Sequence, residues 1–256
     1  MKKVSNLISI FILTCLFSVV IVLNTYSEDL PEGKMVSYKS DGETVSGFLV
    51  TPTEKGPFPA IIVIHEWWGI NNQIQNKAKE LAKEGYVTLV VDLYRGKATT
   101  DPEEAHELLR GLPEDRAMRD MLSAVSYLKT LPIVKKDKIG SIGWCMGGGY
   151  SLSLAINSPD ISACAVYYGR LVTDKNQLRK INASVIGFFG DEDKGIPVSS
   201  VKAFEEDMKE LGKDVSIYIY NGAGHAFANE EKPSYVPKAA IDSWEKSLTF
   251  FNQKLK

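Results

Sequence analysis

The stretch Gly143-Trp144-Cys145-Met146-Gly147-Gly148-Gly149 constrains this chain more than any other. It follows a short apolar strand candidate, Lys138 to Ile142, and precedes a helix-like run, Tyr150 to Asn157, carrying Leu152, Leu154, Ala155 and Ile156. Strand, glycine-flanked turn and helix are the setting of a nucleophile elbow, G-x-S-x-G, with cysteine in the serine's place. The need for glycine is steric, because the central residue sits on a strained turn and the backbone on either side must pack closely. The helix also aims free N–H groups and its positive end at the sulfur, which favours a thiolate. A blander reading makes Cys145 a small buried hydrophobe. A dinucleotide-binding turn is a weaker rival: Leu152 stands where the last glycine of G-x-G-x-x-G belongs, and no phosphate-cradling lysine follows.

An elbow needs a fold around it. With 256 residues and a hydrophobic share of 44%, the chain is long enough for one or two domains. Periodic segments run almost to the end without a long polar linker, which favours one domain over 28–256. The formal net charge of -2, without basic clusters among aromatics, gives no sign of a nucleic-acid partner. The first residues differ in kind. Lys2 and Lys3 precede an apolar run from Leu7 to Leu23 and a small-x-small end at Thr25-Tyr26-Ser27, the pattern of a secretory signal peptide over 1–27. The alternative is an uncleaved anchor, since the run is near the lower limit for a span. The expected destination is therefore export, periplasmic or secreted, with membrane contact only through an uncleaved leader. Of three cysteines, Cys15 lies in this leader, and Cys164 lies in an apolar strand candidate, Ile161 to Tyr167. A disulfide between Cys145 and Cys164 is not expected, because a cysteine within a buried strand is poorly placed to reach the elbow.

The order of elements is read from periodicity. Asp41-Gly42 between Met35–Tyr38 and Thr44–Val50 marks a hairpin at a sheet edge. Pro59–Ile64, Val87–Val91 and Ser184–Phe189 are apolar runs suited to strands covered on both faces, and Val215–Tyr220 alternates as a further strand. Helical spacing appears over 71–84, after Asp101-Pro102, after Pro113, over 201–211 and over 240–251. Strands alternating with helices after an initial hairpin imply a mostly parallel sheet with helices on both faces. Ligands then collect at the carboxyl ends of the strands, which singles out the polar residues found there.

Three histidines make the search for a base short. His106 falls on a polar helix face. His65 ends a strand as His65-Glu66, but an H-E-x-x-H zinc site would need a second histidine where Gly69 stands, so no metal is expected. His225 lies in Gly222-Ala223-Gly224-His225, a glycine-rich loop after the last strand, and is the favoured base. A carboxylate partner belongs between nucleophile and histidine in chain order. Gly190-Asp191-Glu192-Asp193 supplies candidates, and spacing alone does not choose between Asp191 and Asp193. Glu66, beside Trp67 and Trp68, is a further carboxylate whose desolvation would raise its pKa and fit it to accept a thiol proton.

Glu66-Trp67-Trp68-Gly69, Asp92-Leu93-Tyr94, Gly143 to Gly148, Asp193 with Ile196-Pro197, and Gly224-His225-Ala226-Phe227 together resemble the dienelactone hydrolase family, over nearly the whole of 28–256. The resemblance implies an α/β-hydrolase fold, a Cys145–His225–Asp193 triad and no cofactor. It further implies an oxyanion hole from the backbone N–H groups of Met146 and Trp67. In the family, the glutamate matching Glu66 contacts the resting thiol and shifts on substrate binding to take its proton. Expected substrate-binding residues are Arg95, Tyr94, Trp68 and Asn229. Two departures stand out: Arg95 falls one place before the position of one carboxylate-binding arginine, and Asn229 occupies the place of the other. The expected activity is cleavage of a lactone or small ester by a monomer through a Cys145 thioester. A thioesterase or general carboxylesterase with the same triad, and a non-catalytic exported binding protein, are the alternatives. Residues 93–112 are expected to shape specificity.

Overall fold

In the computed structural model, residues 30–256 are described, so the expected leader over 1–27 lies outside the described residues. The hairpin forms as read: β1 (Gly33–Ser40) and β2 (Glu43–Val50) pair in antiparallel register through Ser40 and Glu43. Asp41 (φ 48°) and Gly42 (φ 82°) make its turn, both in the left-handed region that a two-residue hairpin loop demands. Then come β3 (Phe58–Ile64), β4 (Val87–Val91), β5 (Val134–Trp144), β6 (Ile161–Tyr167), β7 (Ser184–Gly190) and β8 (Val215–Tyr220). They form one sheet in the order β1-β2-β4-β3-β5-β6-β7-β8, parallel from β4 onward.

The helices are α1 (Asn72–Lys83), α2 (Pro102–Arg110), α3 (Glu114–Thr130), α4 (Met146–Asn157), α5 (Lys175–Leu178), α6 (Val198–Glu210) and α7 (Pro237–Leu255). Side chains alternate across the central strands, so Ala60, Ile62 and Ile64 of β3 join the core beneath α3, α4 and α6. Ile61 and Val63 join the opposite core with α1 and α7. Capping follows the sequence signals. Asn71 Oδ1 accepts the Ile74 N–H, and Asp101 accepts from Glu103 and Glu104 at the start of α2. Among the described residues no helix is long and apolar enough to cross a membrane.

Two boundaries depart from the sequence reading. The strand before the elbow starts at Val134 rather than near Lys138, because Lys135, Lys136 and Asp137 extend it with exposed side chains before Ile139 enters the core. Helix α4 starts at Met146, four residues earlier than its apolar run. Three glycines would ordinarily oppose helix there, but packing overrides propensity. A Cβ on Gly147 would lie 2.2 Å from the Ile64 carbonyl oxygen, and one on Gly148 would lie 2.5 Å from that of Tyr167.

Candidate active site

The sheet register sets Ile64 of β3 beside Val91 of β4 and Gly143 of β5, Trp144 beside Tyr167, and Gly190 beside Tyr220. Residues just beyond these points therefore share one edge: Glu66, Asp92, Cys145, Tyr168, Asp193 and His225.

Cys145 holds φ 54° and ψ -118°, a strained conformation for a residue with a Cβ, and costs roughly 1–3 kcal/mol. The turn is closed by its glycines, since a Cβ on Gly143 would sit 2.1 Å from the Gly147 carbonyl oxygen. The side chain is half-buried beside the start of α4. Its thiol does not gain the thiolate character expected from the helix end. Burial, then the neighbouring Glu66 charge, push its pKa up to about 12, outweighing the Met146 N–H that favours the thiolate. The resting group is a thiol. Cys145 and Cys164 are both free, and Cys164 is sealed in the core beside Ser151, with burial raising its pKa to about 11.

Asp193, not Asp191, pairs with the histidine. Its Oδ2 lies 2.7 Å from His225 Nδ1, while its Oδ1 accepts the backbone N–H groups of Gly195 and Ile196 at 2.8 and 3.2 Å. Asp191 instead accepts the Gly222 N–H at 2.7 Å and stays exposed, bracing the turn that carries His225.

Glu66 is buried at 5% exposure, and desolvation raises its carboxyl above the ordinary range, against the opposing pull of Asn229 and His225. Asn229 Nδ2 donates to Oε2 at 2.7 Å, and the Tyr168 hydroxyl donates to Oε1 at 3.4 Å. His65 anchors the chain beneath it. Its Nδ1–H donates to the Glu66 carbonyl at 2.5 Å and its Nε2 accepts the Leu93 N–H at 3.4 Å, a pattern of neutral imidazole that burial reinforces by lowering its pKa. His65 thus ties the end of β3 to the end of β4. Among the described residues the Trp67 N–H has no protein acceptor.

Glu66, Trp67, Trp68, Leu109, Cys145, His225, Lys232 and neighbouring residues line one cavity of about 510 Å³. Its walls are largely aromatic and aliphatic, and the Lys232 ammonium lies 3.5 Å above the Trp68 ring. A model of the dienelactone hydrolase family matches residues 45–255, a span that includes every residue of this cavity. The chain belongs to the dienelactone hydrolase family.

As a member of that family it is a hydrolase acting on ester bonds, built on the α/β-hydrolase fold. It is 30% identical to a Methylorubrum extorquens protein named as a carboxymethylenebutenolidase, over 90% of this chain and 83% of that one. It is 30% identical to a Bradyrhizobium protein named as a 2-oxo-3-(5-oxofuran-2-ylidene)propanoate lactonase, over 86% and 94% of the two chains. A crystal structure from Klebsiella pneumoniae, titled as a dienelactone hydrolase, superposes with a TM-score of 0.80 at 25% identity, covering 88% of this chain and all of that one.

Within this family member, the expected substrate-binding residues divide. Trp68 lines the cavity. Asn229 is fully buried and faces Glu66 instead. Tyr94 is buried, with its hydroxyl 3.4 Å from Met146 Sδ, and it lines a separate cleft with Arg95. Arg95 does not reach the Cys145 cavity. Its φ of 56° turns the side chain toward the hairpin, where the guanidinium pairs with Glu43 and Asp120, each at 2.9 Å. Of residues 93–112, Leu109 of α2 reaches the cavity, and exposed His106 packs edge-on against Trp67 at 4.7 Å. Sequence reasoning missed Tyr168 and Lys232. Tyr168 could have been found by the rule that strand ends carry the site, since it directly follows β6. Lys232 sits in a polar loop and carries no such signal.

Proposed function

We propose that this hydrolase opens a lactone or cleaves a small carboxylic ester through a thioester on Cys145. The observation that carries the reading is the convergence of Cys145, Glu66 and a His225–Asp193 pair on a single cavity. The cycle uses the Cys145 thiol as proton donor, the Glu66 carboxylate as its acceptor and the His225 imidazolium as the acid for the leaving group. The thiol proton moves to Glu66 as sulfur bonds to the acyl carbon, and the carbonyl oxygen takes up negative charge. Backbone N–H groups of Met146 and Trp67 stabilise that oxyanion, each contributing about 3 kcal/mol. The acyl C–O bond then breaks and His225 protonates the leaving alkoxide. In the second half, neutral His225 takes a proton from water, hydroxide adds to the thioester, and the C–S bond breaks. The sulfur recovers its proton from Glu66. Asp193 holds the imidazole so that Nε2 faces these transfers.

The names of the Methylorubrum and Bradyrhizobium relatives support a lactone as one substrate. Arg95, one place before the family's clamp position and held by two carboxylates, supports a substrate without the carboxylate clamp that a dienelactone would use. Export directed by residues 1–27 is part of the same proposal. The test is hydrolysis of 4-nitrophenyl acetate, small lactones and dienelactone by the protein and by Cys145→Ala, with mass analysis for an acyl adduct. Loss of at least about 10³-fold in the variant is expected. Equal rates in both proteins would overturn the thioester.

A further inference from the structure

Tyr168 touches two acid–base groups of the cavity at once. It is fully buried, its hydroxyl is 3.4 Å from Glu66 Oε1, and its ring meets the His225 ring edge-on at 5.2 Å. It does so from φ 35°, a conformation in which a bulky side chain is a genuine outlier. The neighbouring chain fixes this backbone, because a Cβ on Gly169 would lie 2.3 Å from the Gly148 carbonyl carbon at the start of α4. Asn229 holds the other Glu66 oxygen at 2.7 Å and is itself oriented by the Glu231 N–H on its Oδ1 at 3.0 Å. Each carboxylate oxygen therefore has one neutral donor from a different part of the chain, and each keeps lone-pair capacity for a further proton. Among the described residues, no hydrogen bond joins Glu66 to the Cys145 sulfur. The carboxylate is held by these two donors, not by the thiol.

We propose that Tyr168 and Asn229 are positioning residues that grip the Glu66 carboxylate from both oxygens and hold it at the Cys145 cavity, poised to take the thiol proton once bound substrate brings the two groups together. Through its ring, Tyr168 also sets the plane of His225. This rests on the reading of Cys145 as the nucleophile. The titratable and charged groups facing Glu66 are Cys145 from the elbow, Tyr168 from the end of β6, and His225 and Lys232 from the segment after β8. Tyr168 and Asn229 both donate to the ionised form of Glu66, so removing either leaves a desolvated carboxylate with less support. Its protonation then moves to higher pH.

The test is the pH profile of kcat/KM on 4-nitrophenyl acetate for Tyr168→Phe, which removes one oxygen and keeps the ring, and for Asn229→Asp, which replaces the donor by a like charge. Tyr168→Phe is expected to lower kcat about 10-fold, the equivalent of one hydrogen bond to a charged group, with KM little changed and the acid limb displaced upward. Asn229→Asp is expected to displace that limb further. In a Glu66→Gln background, Tyr168→Phe should add less than about a twofold loss, because coupled residues are not additive. An unmoved acid limb, or equal losses in the two backgrounds, would overturn the clamp while leaving thioester chemistry intact. Wild-type activity in Cys145→Ala would instead overturn the reading beneath it.

Discussion

Two regions of this molecule bury carboxylates, and they handle them in opposite ways. Under the hairpin, Asp120 of α3 is 1% exposed and is met by Arg95 at 2.9 Å, by the Ser40 hydroxyl at 2.6 Å, and by Arg119 at 3.8 Å. At the strand ends, Glu66 and Asp193 are each 5% exposed, yet neither has an arginine or lysine within ion-pair distance among the described residues. Glu66 is held by an amide and a phenol, Asp193 by an imidazole and two backbone N–H groups. Asp120, compensated by full positive charges, fastens structure. Glu66, desolvated and held only by neutral donors, keeps the freedom to change its protonation. The contrast explains why Arg95, next to the sequence position of interest, does not serve the cavity: its charge is committed to the hairpin.

Four substitutions press on this comparison, beginning with the largest effect. Asp193→Asn is expected to lower kcat by about 10⁴-fold, the scale seen when a triad imidazole loses its orienting carboxylate, with a steady-state ester assay as the check. Glu66→Gln should lower kcat/KM by about 10²- to 10⁴-fold and flatten the acid limb. It should also raise the melting temperature near neutral pH. The sign follows from burial, which lifts the folded carboxyl above its unfolded value. The folding penalty is absent below the unfolded pKa, develops as pH rises toward the folded one, and is complete above it. The gain in Glu66→Gln should therefore vanish in acid, and a gain that persists there would break the explanation.

Asp120→Asn is expected to do the reverse, costing about 3 kcal/mol in denaturant unfolding while kcat/KM of the folded protein holds. A changed KM would mean that the two regions are not separate. Arg95→Ala should cost about 1–2 kcal/mol, less because its side chain is partly solvated. Its relative rates on anionic and neutral esters should match those of the parent, and a selective loss on anionic esters would restore Arg95 to the substrate.

The sequence carried the fold wherever periodicity and turn chemistry agreed, as in the Asp41-Gly42 hairpin, the Asn71 cap and the largely apolar, buried β3 and β4. It carried the site wherever glycine spacing is a steric demand, as at Gly143 and Gly147. What stayed hidden depends on contacts between distant segments. The choice of Asp193 over Asp191 by geometry needs the loop after β8 in place. The grip on Glu66 joins residues 102 and 163 positions away. The early start of α4 at Met146 runs against glycine's helix propensity and is settled by how closely that helix packs on β3 and β6. The thiol's high pKa was also opposite to the sign suggested by the helix end alone, because neither burial nor the Glu66 charge is visible in one strand–turn–helix segment.

That high pKa bears on how long such an enzyme lasts. Oxidation by peroxide and exchange with disulfides both proceed through the thiolate. With burial and the Glu66 charge pushing that pKa up to about 12, very little of the group is thiolate at pH 7 while no substrate is present. A resting pool is thereby shielded from such reagents, and on the proposed mechanism the sulfur becomes vulnerable chiefly during turnover. Idle enzyme should age slowly, and working enzyme faster.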